Sequence, residues 1–276
     1  MKNKIWFITG ISSGLGKALA ESVIETGDFV IGTFRKESQV EEFNKKRIIN
    51  AKAILLDITE EKSVETSIEK VIAEYGKIDV LVNNAGIGFI GAIEETSLTE
   101  VRSVFEPNFF GTLKLTQAVL PFMRKEKAGH IVQISSHGGI KAFAGFGIYN
   151  ASKFALEGFS EALAQEVAPL GIKVSIVEPG PFRTKFAGEG LGEATRVIDD
   201  YSETAGAFRK KIKGIDGKQE GDPIKASKAI IKLVNSEKPS LRLPLGKVAL
   251  MTIGMKLDSV QSNLDTNREI AESAVY

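Results

Sequence analysis

The sequence predicts an α/β fold, in which a doubly wound parallel β-sheet is flanked by helices on both faces. Short runs of β-branched and aliphatic residues recur between longer segments rich in Glu, Lys, Ala and Leu, which is typical of βαβ units. Right-handed crossovers between such strands leave few other topologies. No internal repeat or proline-rich linker interrupts the first 180 residues, so we expect one domain over residues 1–276.

Each predicted element follows from its local pattern. Residues 241–245 are expected to form an edge strand, because Pro244 has no N–H to donate to an inner ladder. A helix is expected after Asp222 as its N-cap, with Pro223 at its first position. The other predicted strands are residues 4–9, 29–34, 53–56, 80–82, 130–134 and 173–177, and the other predicted helices include residues 60–75, 154–168, 197–213 and the tail at about 247–276.

Composition excludes several classes of protein. The 276 residues are 43% apolar and 26% charged, with 36 basic and 35 acidic residues, so neither nucleic acid nor an anionic membrane is an expected partner. The chain has no cysteine and only two histidines, which argues against disulfides and a metal site. No apolar run is long enough for a signal peptide or a membrane span, and we expect a cytoplasmic protein.

A glycine-rich turn, TGISSGLG at residues 9–16, joins the first predicted strand to a helix. Gly10 allows a tight turn, Gly14 a close approach of phosphate, and Gly16 close packing of helix on strand. The free N–H groups and the positive dipole end of a helix start are suited to a diphosphate. With the next strand this turn completes a βαβ unit, and it predicts a Rossmann-type dinucleotide site.

Tyr149 and Lys153 are four residues apart, which places a phenol and an ammonium group on one face of a helix. A cation beside the phenol lowers its pKa and suits it to proton transfer.

Together these two motifs resemble those of the short-chain dehydrogenases/reductases, whose glycine turn is also Thr-Gly-x-x-x-Gly-x-Gly. Further matches occur in the family's order: the NNAG run at residues 83–86, Asn108, Ser136, and Pro179 and Gly180 followed by Thr184. The resemblance implies hydride transfer between a nicotinamide and a carbonyl or alcohol carbon. It also implies a homo-oligomer, a dimer or tetramer, through the long helices that start near Asn108 and Tyr149.

The resemblance implies a role for each catalytic candidate. Tyr149 would be the general acid or base and Ser136 would hold the reacting oxygen. Lys153 would bind the nicotinamide ribose and keep the pKa of Tyr149 low. Asn108 would position a helix kink and a water. Ser135 is the alternative to Ser136, since only the thirteen-residue spacing to Tyr149 favours Ser136.

Cofactor choice is predicted at the end of the second strand. No carboxylate stands there to bind a ribose 2′-hydroxyl, and Arg35 and Lys36 follow the strand, so we expect NADP(H) to be preferred, with NAD(H) as the other choice. Asp57 either contacts the cofactor near the adenine or caps a helix. Besides Tyr149 and Lys153, the candidate cofactor-binding residues are Gly10, Ser12, Ser13, Gly14, Leu15, Gly16, Arg35, Asp57, Ile58, Asn83, Ala85, Gly86, Pro179, Gly180 and Thr184.

The segment at about 182–219 is implied by the resemblance to cover a small-molecule substrate. Several apolar residues near the expected mouth of the site favour an apolar carbonyl or alcohol, and burial in the ordinary core is the alternative for them; they are Phe89, Ile90, Phe143, Phe146, Phe182 and Phe186. Two alternatives remain, a non-catalytic NADP(H)-binding sensor or regulator and a sugar-nucleotide epimerase. A serine hydrolase is excluded because the sequence has no Gly-x-Ser-x-Gly.

Overall fold

The computed structural model describes residues 3–188 and 190–276; Met1, Lys2 and Glu189, the last of these in the predicted insertion, lie outside the described residues. Within them the strands are β1 (Ile5–Ile8), β2 (Phe29–Phe34), β3 (Ala51–Leu55), β4 (Val80–Asn83), β5 (Gly88–Ile90), β6 (Gly129–Ile134), β7 (Ile172–Pro179), β8 (Leu191–Glu193) and β9 (Arg242–Leu245). The α-helices are α1 (Gly14–Glu25), α2 (Glu37–Lys45), α3 (Glu61–Tyr75), α4 (Leu98–Phe105), α5 (Thr112–Glu126), α6 (Gly147–Val167), α7 (Ala207–Gly214), α8 (Pro223–Val234), α9 (Lys247–Thr266) and α10 (Arg268–Glu272).

Seven of the strands form one parallel sheet in the order β3-β2-β1-β4-β6-β7-β9. The predicted doubly wound α/β fold, a single domain, is therefore confirmed. The strand order reverses between β1 and β4, and in such sheets the ligand binds beyond the carboxyl ends of the strands at that reversal. The described helices include none that is long and apolar enough to cross a membrane.

The sheet separates two apolar layers, and β1 shows how its sequence serves both. Trp6 and Ile8 point into the layer beneath α1 and α8, whereas Phe7 points into the layer beneath α3 and α5. All three side chains are fully buried. Because successive side chains of a strand alternate between faces, a strand covered on both sides is apolar throughout.

Two elements differ from the sequence predictions. The helix predicted over residues 197–213 is shorter: a 3₁₀ turn (Asp199–Tyr201) and a π turn (Ser202–Gly206) precede α7. The small parallel sheet of β5 and β8 was not predicted, because both strands have only three residues. The edge position of β9, which carries Pro244, is confirmed, and the tail is helical as expected.

The N-cap of α8 gives a test of local stability. The Asp222 carboxylate accepts hydrogen bonds from the N–H groups of Ile224 (2.8 Å) and Lys225 (3.3 Å). Asp222→Ala should lower the free energy of unfolding by about 1 kcal/mol, because two N–H groups lose their acceptor. Urea denaturation measures this, with the exposed Glu237→Ala as the control. Equal midpoints for both variants would contradict the assigned cap.

Candidate active site

The glycine turn lies where β1 ends and α1 begins, at the reversal of strand order. Gly10 (φ +71°) and Gly14 (φ +61°) adopt left-handed conformations, which glycine accepts without strain. The Ser13 side chain makes no capping hydrogen bond to the start of α1. The first N–H groups of the helix can therefore donate hydrogen bonds to an anion. Ser12 is exposed and Leu15 half-buried at the same turn. This open cradle fits the diphosphate of a dinucleotide.

Asn84, which sequence reasoning did not assign, holds this turn in place. Its amide donates to the carbonyls of Thr9 (2.8 Å) and Gly10 (3.1 Å). The Thr9 hydroxyl accepts in return from the N–H groups of Asn84 and Ala85, both at 2.9 Å. A Cβ on Gly16 would lie 2.3 Å from the Asn84 amide nitrogen and 2.5 Å from the Gly10 carbonyl oxygen. Gly16 is therefore required by this bonded turn, and not only by helix-on-strand packing.

The neighbouring Asn83 side chain points into the protein. Its amide donates to Thr116 Oγ1 (3.0 Å) and Gln133 Oε1 (2.9 Å), and the residue is buried. A cofactor contact by Asn83 would therefore use its backbone. The signal that could have separated the two asparagines is strand alternation, since residue 83 ends β4 and residue 84 follows it.

Asn108 lies in a π turn (Glu106–Gly111) that joins α4 to α5 and has Pro107 as its second residue. The helix is thus interrupted by a widened turn at the position where a kink at Asn108 was expected. The Asn108 side chain accepts from Ile87 N–H (2.8 Å) and donates to the Ile87 carbonyl (2.9 Å) and to Ser152 Oγ (3.1 Å). A Cβ on Gly86 would lie 2.9 Å from Asn108 Oδ1 and 3.8 Å from Lys153 Nζ, which brings these groups into one pocket.

Tyr149 and Ser136 meet at the start of α6. Ser136 is hydrogen-bonded to the phenol, and its Oγ also accepts from Gly138 N–H (3.0 Å). Burial raises the pKa of Tyr149 to about 12, and the Ser136 hydrogen bond only partly opposes this. The phenol is therefore a neutral proton donor at neutral pH.

Lys153 follows one turn later and is buried. Its ammonium donates to the Ile134 carbonyl at 2.9 Å, and burial lowers its pKa to about 8, with Glu157 opposing. In this structure desolvation dominates and raises the pKa of the phenol, and the expectation that Lys153 lowers it stays a prediction.

The side chains of Ser135 and Ser136 point in different directions, and only Ser136 points to Tyr149. The Ser135 hydroxyl lies beside the Glu157 side chain, since a Cβ on Gly139 would be 2.6 Å from Ser135 Oγ and 3.1 Å from Glu157 Oε1. Ser136, the next residue along, points to Tyr149 instead. His137 points elsewhere again, and its Nδ1 is 2.9 Å from Thr252 Oγ1 on α9.

Two candidate cofactor contacts lie at the ends of β2 and β3. Arg35 is exposed directly after β2. Asp57 does not cap α3, whose N-cap is Glu60; its Oδ1 accepts from Thr59 N–H (3.0 Å) and Thr59 Oγ1 (2.8 Å). Ile58 beside it is buried. The helix-cap alternative for Asp57 is therefore wrong, and its adenine contact stays a prediction.

The segment after β7 closes over the glycine turn. A Cβ on Gly14 would lie 3.4 Å from Thr184 Cβ, so Thr184 covers the diphosphate cradle. Gly180, after Pro179, donates its N–H to the Leu245 carbonyl (2.9 Å), and a Cβ there would press on Ala249. These contacts bring the carboxyl ends of β1, β7 and β9 together at the predicted site.

An aromatic cluster borders Tyr149. The ring centroids of Phe146 and Phe186 lie 5.3 and 5.5 Å from that of Tyr149. Phe208, which was not predicted, contacts Phe146 at 4.9 Å and stacks on Phe143 at 6.0 Å. Ile90 packs in the same cluster.

Two predicted members of this wall lie elsewhere. Phe89 packs against Val104 and Ala194, and Phe182 packs against the apolar layer of α1 and α8 near Gly221. For these two rings, the alternative of burial in the ordinary core is therefore the one that the structure shows.

Residues 4–192 match the family model described as short chain dehydrogenase. The chain belongs to the short-chain dehydrogenase family. This short-chain dehydrogenase is 41% identical over 249 residues to the 3-ketodihydrosphingosine reductase of Bacteroides thetaiotaomicron, with 89% of each chain covered. It also resembles the crystal structure of a short-chain dehydrogenase from Streptomyces avermitilis (TM-score 0.93, 43% identity, 99% of each chain). ElxO with NADP bound is similar at a TM-score of 0.74 and 28% identity, over 90% of this chain and 99% of ElxO.

These likenesses and the site establish an NAD(P)-dependent oxidoreductase acting on CH–OH or C=O groups. The structure brings Asn108 and Lys153 together beside Gly86, and Ser136 and Tyr149 together beside Gly138. The sequence analysis assigned no role to Asn84, although it lies in the NNAG run, or to Phe208, which belongs to no motif; Asn84 supports the glycine turn and Phe208 supports the aromatic cluster.

Gly16→Ala tests the bonded turn. The added methyl group would meet the Asn84 amide and the Gly10 carbonyl, so we expect a loss of about 1 to 3 kcal/mol in unfolding free energy and weaker cofactor binding. Gly158→Ala on α6 is the matched control, since a Cβ there meets nothing within 4 Å and alanine favours helix. Urea denaturation and a fluorescence titration with NADPH measure both effects. If Gly16→Ala matched wild type in both, the bonded turn would not constrain residue 16.

Proposed function

We propose that this protein is an NADP(H)-preferring oxidoreductase that moves a hydride between the nicotinamide and a carbonyl or alcohol carbon of a small apolar substrate, with Tyr149 as general acid or base. The observation that carries the proposal is the buried phenol of Tyr149, hydrogen-bonded to Ser136 and bordered by aromatic rings.

Proton transfer is assigned to Tyr149. Its pKa of about 12 keeps the phenol protonated at neutral pH, so in the direction of carbonyl reduction it can give a proton to the substrate oxygen. Ser136 supports that oxygen by a hydrogen bond as negative charge develops there. A phenolate left behind is stabilised by the Lys153 ammonium one helical turn away. Asn108 braces this pocket through its bonds to Ile87 and Ser152.

The cradle around Gly14 and the start of α1 would hold the diphosphate, with Thr184 over it. When bound, the nicotinamide supplies or accepts the hydride. Ala85, Gly86, Pro179 and Gly180 are proposed to line the ribose and carboxamide region, and Asp57 and Ile58 the adenine. Arg35 supports the preference for NADP(H), because an exposed guanidinium at the tip of β2 suits a 2′-phosphate and no carboxylate occupies that tip.

The substrate class is argued from the wall beside Tyr149. Phe146 and Phe186 border the Tyr149 ring with apolar surface, and Phe208, from the segment after β8, extends this surface by contacting Phe146 and Phe143. Apolar pockets with a few polar groups bind apolar ligands in one orientation. One relative, 41% identical, is named 3-ketodihydrosphingosine reductase, which is consistent with a ketone substrate.

A substrate screen tests this class. Oxidation of NADPH should be seen with hydrophobic ketones or aldehydes and not with small charged keto acids. Turnover of keto acids alone would contradict the proposed substrate class.

The cytoplasmic location and the homo-oligomer, dimer or tetramer, stay predictions.

Arg35→Ala should weaken NADPH binding by about tenfold or more, because a charge-assisted hydrogen bond to the 2′-phosphate is lost. NADH binding should change by less than about twofold, since NADH lacks that phosphate. Parallel fluorescence titrations measure both affinities. Lys45→Ala, at the other end of α2, is the control and should leave both unchanged. Equal loss of both affinities would contradict a 2′-phosphate contact.

Tyr149→Phe should keep cofactor binding and lose turnover by about 10²- to 10⁴-fold, because the ring remains and the transferable proton is removed. Steady-state kinetics with the best substrate of the screen measure the loss. Tyr75→Phe is the matched control, since Tyr75 also has a pKa raised to about 12 but packs on Phe29 at the amino end of β2, whereas the site lies at the carboxyl ends of the strands. Near-normal turnover by Tyr149→Phe would rule out its assigned role.

A further inference from the structure

Glu157 extends the line of functional side chains on α6. Tyr149, Lys153 and Glu157 follow one another at intervals of four residues, so they lie along one face of the helix. Glu157 is only 4% exposed. A carboxylate buried to this extent is costly unless it is paired.

Arg242, on β9, supplies that pairing. Its guanidinium contacts the carboxylates of Glu157, Glu178 (2.9 Å) and Glu161 (2.6 Å). Three carboxylates share this one guanidinium, and two of them, Glu157 and Glu178, are buried. One guanidinium does not neutralise three carboxylates, so a second positive charge near Glu157 is favourable. Lys153 provides that charge.

The coupling between the lysine and Glu157 is mutual. Burial lowers the pKa of Lys153 to about 8, and the Glu157 carboxylate opposes this. Burial raises the pKa of Glu157, and Ser135, Arg242 and Lys153 oppose it. Each charged form thus supports the other in a region where water is largely excluded.

Glu157 also borders a groove between α6 and α9 with a cavity volume of about 650 Å³. The other charged groups on this groove are Glu161 on α6, Arg242 on β9, and Lys256 and Asp258 on α9. Of the groups facing Glu157, only Lys153 belongs to the proposed active site. The Glu157 carboxylate therefore lies between Arg242 with its other carboxylate partners and Lys153 of the proposed active site.

We propose that Glu157 is a positioning residue for Lys153: its carboxylate, anchored by Arg242, holds the lysine as an ammonium ion beside the proton donor Tyr149. The expected effect on turnover rests on the proposed function. The expected effect on the pKa of Lys153 does not depend on it. Glu157 acts through Lys153 and does not touch the reacting atoms.

The first test measures the lysine without substrate. Protein labelled with ¹³C at lysine Cε is titrated by NMR, and the Lys153 signal is assigned by its loss in Lys153→Met. Glu157→Gln removes the negative charge, which disfavours the ammonium form, so the midpoint of Lys153 should fall by about one pH unit. Glu161→Gln is the matched control, because it removes another partner of Arg242 one turn further from Lys153.

The second test uses turnover. If the ammonium is the active form, activity is lost as pH rises through the pKa of Lys153, so this alkaline limb should move to lower pH by the same amount in Glu157→Gln. Glu157→Asp keeps the charge and should return the midpoint and the limb towards wild type, even where Glu157→Gln folds poorly.

An unchanged Lys153 midpoint in Glu157→Gln, or equal shifts in Glu157→Gln and Glu161→Gln, would overturn the inference and leave Glu157 a structural residue. A midpoint in Glu157→Asp as low as in Glu157→Gln would overturn it as well. Absence of turnover in wild type would instead count against the proposed function, because the NMR titration requires no substrate.

Discussion

The hydrogen bonds between Thr9 and Asn84 are the interaction on which the site depends. They join the carboxyl ends of β1 and β4, where the strand order of the sheet reverses. The Asn84 amide fixes the carbonyls of the glycine turn, and the Thr9 hydroxyl fixes the start of the segment that leads to Gly86. Because buried backbone groups require partners, these bonds determine one conformation for both segments. The start of α1 and the pocket around Asn108 and Lys153 are therefore set relative to one another.

Desolvation is the second physical theme of the site. The same burial keeps the Tyr149 phenol neutral and makes the Lys153 ammonium easier to deprotonate. Without compensation, both groups would tend to their uncharged forms. Polar groups nearby stabilise the charged forms instead. Ser136 acts on the phenol, and the Ile134 carbonyl and the Glu157 carboxylate act on the ammonium. The chemistry thus depends on how deeply α6 is buried as well as on which side chains it carries.

Sequence patterns predicted the features that depend on a few consecutive residues. The strands, the glycine turn and the spacing of Tyr149 and Lys153 each follow from a period or motif of a few residues. The contacts that could not be predicted join distant parts of the chain. Arg242 meets Glu157 across 85 positions, and Phe208 reaches the wall of the site from a separate segment. Similarly, adjacent residues such as Asn83 and Asn84 take different roles because the end of a strand turns them in different directions. Strand alternation gives that information only when the last residue of β4 is known, and the strand predicted over residues 80–82 stopped one residue short of it.

The bond between His137 and Thr252 gives the C-terminal helix a mechanical connection to the catalytic loop. His137 directly follows Ser136, and Thr252 lies in the second turn of α9. Beyond Gln261 every residue of the tail is exposed. The chain therefore has an anchoring part and a free part within one helix. An affinity tag or a fluorescent protein fused after Tyr276 is carried by the free part, whereas a truncation that removes Thr252 deprives the loop beside Ser136 of a support.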